Sequence, residues 1–144
     1  MSRQPTPEET ANALVVELRV LENTYNEFSA RQNLLERALL ENRAAIDAIN
    51  GLGDKPSGEV LTQIGGGALL RGPPPSTDKV LVSVGASVVL EKPRAEAVAL
   101  LDERSREFEK TIISLIGQRN ELAQRLDSDR QALNSLVARQ SQQE

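Results

Sequence analysis

Apolar residues recur at alternating steps of three and four along two long stretches of this chain, residues 7–50 and 93–143, and by twos in the segment between them. The first stretch carries Ala11, Leu14, Leu18, Leu21, Tyr25, Phe28, Gln32, Leu35, Leu39, Asn42, Ile46 and Ile49 at the repeat positions. The second carries Val98, Leu101, Ser105, Phe108, Ile112, Leu115, Arg119, Leu122, Leu126, Asp129, Leu133, Leu136 and Gln140. A period of 3.5 held this long predicts two helices, each with a seam for another helix.

Folding the chain back on itself matches the two repeats. When residue numbers of facing positions add to 147, Leu14 meets Leu133, Leu21 meets Leu126, Leu35 meets Ile112, Leu39 meets Phe108 and Ile46 meets Leu101. Every a position then faces a d position, Asn42 shares a layer with Ser105, and Arg119 lies beside Phe28, where its guanidinium can cover the ring. A shift by one heptad keeps the a-to-d matching and stays open. Helices of this length are rods on the order of 65 to 75 Å.

Thr6-Pro7-Glu8-Glu9 reads as a helix start, with Thr6 as N-cap, Pro7 at the first helical position and Glu9 closing a capping box. Gly51, Gly53 and Pro56 end this helix, and Pro93 opens the second. Outward pairs one turn apart are expected between Glu27 and Arg31, Arg37 and Glu41, Asp102 and Arg106, and Glu121 and Arg125.

Between the helices the alternation predicts four short strands, residues 59–64, 67–71, 79–84 and 87–91, paired as two hairpins through Gly65-Gly66 and Gly85-Ala86. Pro73-Pro74-Pro75 separates them, because a proline run cannot enter a ladder. Val80, Val82 and Val84 share one face, yet Leu69, Leu81 and Val89 make the other face partly apolar. Isolated two-stranded hairpins are marginal in water, so the strands are expected to find partners in other chains. The fold class is α+β: a long antiparallel coiled-coil hairpin with two β-hairpins between its helices. Residues 1–54, 55–92 and 93–144 form its three segments within one structural unit.

Composition narrows the chemistry. Cysteine and histidine are both absent, which removes disulfides, the usual zinc ligands and the ordinary base for a serine nucleophile, so no catalytic residue, metal or cofactor is expected. Residues 1–50 hold five basic and eight acidic side chains, residues 51–93 four of each, and residues 94–144 eight and nine, so no basic footprint for nucleic acid or an anionic membrane exists. The Ile64-Gly65-Gly66-Gly67 run has no following Lys-Ser or Lys-Thr and is a turn, not a phosphate cradle. Neither a signal peptide nor a membrane span is visible, and a cytoplasmic setting is expected. The polar seam residues Gln32, Asn42, Arg119 and Asp129 are read as fixing register. Near the start of the first helix, however, Ala11, Ala13, Leu14, Val15, Val16, Leu18, Val20 and Leu21 surround nearly the whole circumference, more than a two-helix seam can bury.

The stretch from Lys79 to Glu109, KVLVSVGASVVLEKPRAEAVALLDERSREFE, together with IGGGALLRG from Ile64 to Gly72, resembles the alpha class of archaeal prefoldin subunits. Two hairpins rather than one also point to that class. Ser87 and Val88 stand where the family often has glycine and an aromatic, and Pro93 replaces a more usual polar cap. The resemblance implies an ATP-independent chaperone in which two alpha and four beta subunits join their hairpins into an oligomeric β-barrel. From it hang coiled-coil arms whose tips hold unfolded client proteins and pass them to a group II chaperonin. In that setting Val80, Val82, Val84, Val88 and Leu90 would serve oligomerisation, and Leu14, Val15, Leu18, Leu133, Leu136 and Val137 would contact clients. The alternative is a structural coiled-coil tether without clients, for which polar helix ends would be expected.

Overall fold

The computed structural model describes residues 4–53, 58–76 and 78–142. Two long helices, α1 (Pro7–Gly51) and α2 (Arg94–Ser141), flank four strands, β1 (Val60–Gly65), β2 (Ala68–Gly72), β3 (Lys79–Gly85) and β4 (Val88–Pro93). The strands form two separate antiparallel sheets, β1 with β2 and β3 with β4. Two compact units result: Met1–Arg37 with Glu109–Glu144, and Ala38–Phe108.

In the first unit α1 starts as its sequence dictates. The Thr6 N–H donates to Glu9 Oε2 at 2.8 Å and the Glu9 N–H donates to Thr6 Oγ1 at 3.2 Å, so both members of the capping box satisfy a helix-end donor. Leu18, Leu21 and Leu126 form the buried cluster of this unit, with Tyr25, Leu122 and Leu133 packed around it. Two ion pairs cross between the helices, Arg125 to Glu17 and Arg130 to Glu22, one on each flank of the seam. Their residue numbers bracket the expected register of 147 from either side, which places Leu21 opposite Leu126 in this unit. Arg125 was expected to pair with Glu121 on its own helix; Glu17 across the seam takes it instead. The Asp102–Arg106 pair forms as expected, at 2.8 Å.

In the second unit the same register is fixed by a hydrogen bond. Asn42 Nδ2 donates to Ser105 Oγ at 2.7 Å and also to the Leu101 carbonyl, and both side chains are buried. This layer selects the predicted alignment over one slipped by a heptad, because a slip would set Asn42 against Val98 or Ile112 and Ser105 against Leu35 or Ile49. Ile49, Val82, Ala97 and Leu101 make the core of the unit, with Ala45, Ile46, Val80 and Val98 against it. Ala97 is 0% exposed: a methyl is the largest group its position admits.

The helix ends and turns differ from the sequence reading by a residue or so. Pro93 closes β4 instead of opening α2, and the Arg94 N–H donates to the Asp78 carbonyl at 3.2 Å. α1 runs on through Gly51, and Gly53 supplies the left-handed residue beyond it at φ +66°. Pro56 lies outside the described residues. The hairpin connections are Gly66-Gly67 and Ala86-Ser87, all four at positive φ. Gly65 and Gly85, read as loop residues, instead end their strands where the ladder register shifts, forming bulges. Two of the four loop positions thus hold non-glycine residues, Ala86 at φ +49° and Ser87 at φ +62°.

Candidate functional site

At the far end of the first unit, where α1 begins and α2 finishes, the apolar surplus divides into side chains that the seam covers and side chains it leaves out. Leu14, Leu133 and Leu136 are half-buried, and Val15 and Val137 are exposed. Leu18 is only 9% exposed and belongs to the buried cluster with Leu21 and Leu126. Its a position turns it inward, so of the six residues expected at this surface it alone is fully covered. Val16 and Val20 were part of the apolar surround but not of that set, and both are strongly exposed, Val16 at 64%. Their f and c positions relative to the seam were the signal that would have selected them.

The flanks at this end differ from those one heptad further in, although Leu34, Ile113 and Ile116 elsewhere in the unit are also exposed. Val15 and Val137 occupy the flank positions one heptad beyond Glu22 and Arg130. An exposed valine pair therefore replaces an ion pair, trading solvation for apolar surface. Further from the end, Arg119 lies in the seam without a carboxylate. It donates to Gln32 Oε1 at 2.7 Å and to the Tyr25 hydroxyl at 2.9 Å, and its guanidinium sits 4.8 Å from the Tyr25 ring centroid. Phe28 was the expected ring; Tyr25 prevails because it adds an acceptor to its π face, which a half-buried cation needs. Gln32 passes the polarity on, donating to Glu36 Oε1 at 2.8 Å.

The second unit sorts the hairpin residues by face. Val82, 5% exposed, packs on Ile49, Ala97 and Leu101, and Val80 packs beside it. These two expected oligomerisation residues therefore attach β3 to the helices of their own chain. Val84, Val88 and Leu90 remain exposed. So does the opposite face of the same sheet, through Leu81 at 70% and Val89, and so do Leu61, Ile64, Leu69 and Leu70 on β1 and β2. Arg104 reaches from α2 to the Ser83 carbonyl at 2.7 Å, next to the β3 bulge, and ties the sheet to the helix. Ser83 is a strand residue and Ser87 a turn residue. Among the described residues no group of His, Cys, Asp and Glu is placed to hold a metal, and no helix is long and apolar enough to cross a membrane.

A profile of prefoldin subunits matches residues 21–139, most of the chain. The chain belongs to the prefoldin family. Prefoldin subunit alpha of Nitrosopumilus maritimus is 30% identical over 130 residues, 90% of each chain. Prefoldin subunit alpha of Methanoregula boonei is 37% identical over 107 residues, 69% of this chain and 70% of that one. A chain from a filamentous PFD of Methanocaldococcus jannaschii, solved by cryo-EM, is similar at 23% identity and a TM-score of 0.44, covering 92% of this chain and 98% of that chain. Prefoldins are chaperone subunits, not enzymes. The alpha-class resemblance carried by the hairpins and the start of α2 is thereby shown.

Proposed function

We propose that this prefoldin chain is the alpha-type subunit of an ATP-independent chaperone that holds non-native proteins at the far end of its first unit and hands them to a group II chaperonin. The observation that carries the reading is the ring of solvent-facing valines Val15, Val16, Val20 and Val137 where the helix pair ends. A tether has no use for apolar side chains gathered at one end, and a contiguous patch of them marks a surface that a partner covers. Two alpha and four beta subunits are the proposed assembly, in the cytoplasm, joined through their hairpins into a β-barrel. The exposed Leu81, Val84, Val88, Val89 and Leu90, with β1 and β2 uncovered on both faces, support assembly through the strands. Each client contact is weak, and several arms on one platform raise the local concentration of binding surface until the total is strong.

The complex reconstituted with beta-type subunits is expected to suppress aggregation of a denatured protein without nucleotide. Replacing Val15, Val16, Val20 and Val137 by serine should weaken that protection partially, since beta subunits also contribute arms, and leave the assembled mass unchanged. Protection that survives this change in all respects would move client capture off these residues.

A further inference from the structure

Asn50-Gly51, at the end of α1, is the only asparagine–glycine step in the chain. Every other asparagine sits inside α1 or α2 and is followed by a residue with a side chain. Asn42 among them is buried and bonded to Ser105 and the Leu101 carbonyl, whereas Asn50 is exposed and its carboxamide has no hydrogen-bond partner among the described residues. Gly51 is the last residue of the helix, and nothing lies within 4 Å of the place a side chain would take, so the approach to its nitrogen is open. The Leu52 N–H turns back to the Ile49 carbonyl at 3.3 Å, and Gly53 leaves the helix at φ +66°. A terminal turn opens at little cost, which lets the Gly51 nitrogen out of its helical hydrogen bond.

We propose that Asn50-Gly51 is a spontaneous modification site, where the chain converts asparagine to isoaspartate at the junction of α1 with the hairpins. When the last turn frays, the Gly51 nitrogen attacks Asn50 Cγ. The new N–C bond closes a succinimide ring, and the carboxamide nitrogen leaves as ammonia with the proton that Gly51 gives up. Water then opens the ring. Attack at Cγ yields aspartate; attack at the backbone carbonyl carbon breaks its bond to Gly51 and yields isoaspartate, whose main chain runs through Cγ and whose α-carboxylate is new. Nothing is oxidised or reduced, and water is the sole co-reactant. Either product puts a negative charge where the dipole of α1 is already negative and where the last turn of that helix carries no basic residue. Arg94 is the cation placed to meet it, since it shares a cleft with Asn50 and Gly53 and donates to the Gly53 carbonyl. Isoaspartate also adds a methylene to the main chain, so helical bonding does not continue through it. The last turn of α1 therefore unwinds for good and lengthens the link into β1. It leaves an exposed isoaspartyl carboxylate, the group that a carboxyl methyltransferase recognises. The inference is independent of client capture.

The test holds the full chain at neutral pH and samples it over weeks, comparing wild type, Gly51→Ala, Asn50→Gln and wild type kept in urea. Gly51 does not have positive φ, so alanine fits there without strain. Peptide mapping of the folded wild type should show, at Asn50, the mass gain of NH2 replaced by OH, with isoaspartate scored by enzymatic methylation and no gain at Asn120 or Asn134. The rate should fall about tenfold or more in Gly51→Ala, because a Cβ hinders the attack and removes backbone freedom. It should vanish in Asn50→Gln, whose longer side chain closes a larger ring. Amide exchange over residues 48–52 should be faster in the modified chain, while Leu101 and Ser105 keep their protection. A folded chain that stays unmodified would overturn the proposal; the urea sample, in which Asn50 should react faster, shows that the reaction was given time. An equal rate in Gly51→Ala, or modified chains whose exchange over residues 48–52 is unchanged, would overturn it as well.

Discussion

Replacing Asn42 by alanine probes how this fold chooses its register. The side chain makes two hydrogen bonds across the buried seam, to Ser105 Oγ and to the Leu101 carbonyl. Each is worth roughly 0.5–1.5 kcal/mol net, so Asn42→Ala should destabilise the chain by about 2 kcal/mol. Ser105→Ala should cost less, about 1 kcal/mol, because Asn42 keeps the Leu101 carbonyl. The double variant is the informative one. Without Asn42, the Ser105 hydroxyl can turn to the carbonyl one turn back on its own helix, so its further removal costs little and the pair totals about 2 kcal/mol rather than 3. A coupling of about 1 kcal/mol is therefore expected from urea unfolding of the four proteins followed by helical circular dichroism. Strictly additive costs, or an Asn42→Ala protein as stable as wild type, would show that the layer does not fix the alignment.

Three further outcomes follow from the placement of individual side chains. Val82→Asp puts an unpaired charge among Ile49, Ala97 and Leu101 and should cost about 3 kcal/mol or more in chain stability. Val84→Asp, on an exposed position, should leave unfolding nearly unchanged and reduce assembly in native mass measurements; equal unfolding effects at the two sites would contradict the faces assigned to β3. Ala86→Asn with Ser87→Gly gives the loop residues that prefer positive φ and should stabilise the hairpin by about 1 kcal/mol, read as slower amide exchange at Val82 and Leu90; faster exchange would count against the turn geometry. Tyr25→Phe removes an acceptor from the Arg119 guanidinium and should cost about 1 kcal/mol, whereas Phe28→Tyr should not restore it. Restoration would mean that Phe28 is the ring that Arg119 uses.

The features legible in the sequence were those that a repeat or a local motif determines. A seam of alternating threes and fours needs only residue spacing, so Leu21 with Leu126 and Asn42 with Ser105 followed, and the capping box at Thr6 needs only four consecutive residues. Alternation by twos identified the strands and the two faces of β3, but not which face the helices cover; that depends on Ala97 and Ile49, which are distant in sequence from Val82. In the run Gly65-Gly66-Gly67 any two residues can form the turn, and at Ala86-Ser87 the left-handed residues are ones that local preference places elsewhere, so both loops were read a residue early. Competition between partners was equally invisible: Arg125 chose Glu17 over Glu121, and Arg119 chose Tyr25 over Phe28. At the candidate site, apolar excess near Leu14 was readable, and so was the division into seam-facing Leu18 and outward Val16, but the half-burial of Leu14, Leu133 and Leu136 required the second helix in place.

The central claim is that client capture resides at the end of the helix pair and assembly in the hairpins. Deleting residues 4–21 together with 126–142 removes the end while respecting the register, and leaves the Asn42–Ser105 layer and both sheets in place. The measurement is crosslinking of a denatured client to this chain within the reconstituted complex, with native mass recorded on the same sample. The account predicts a complex of unchanged subunit composition from which client crosslinks to this chain are lost. An intact complex in which the shortened chain still captures client at the full-length level would contradict it.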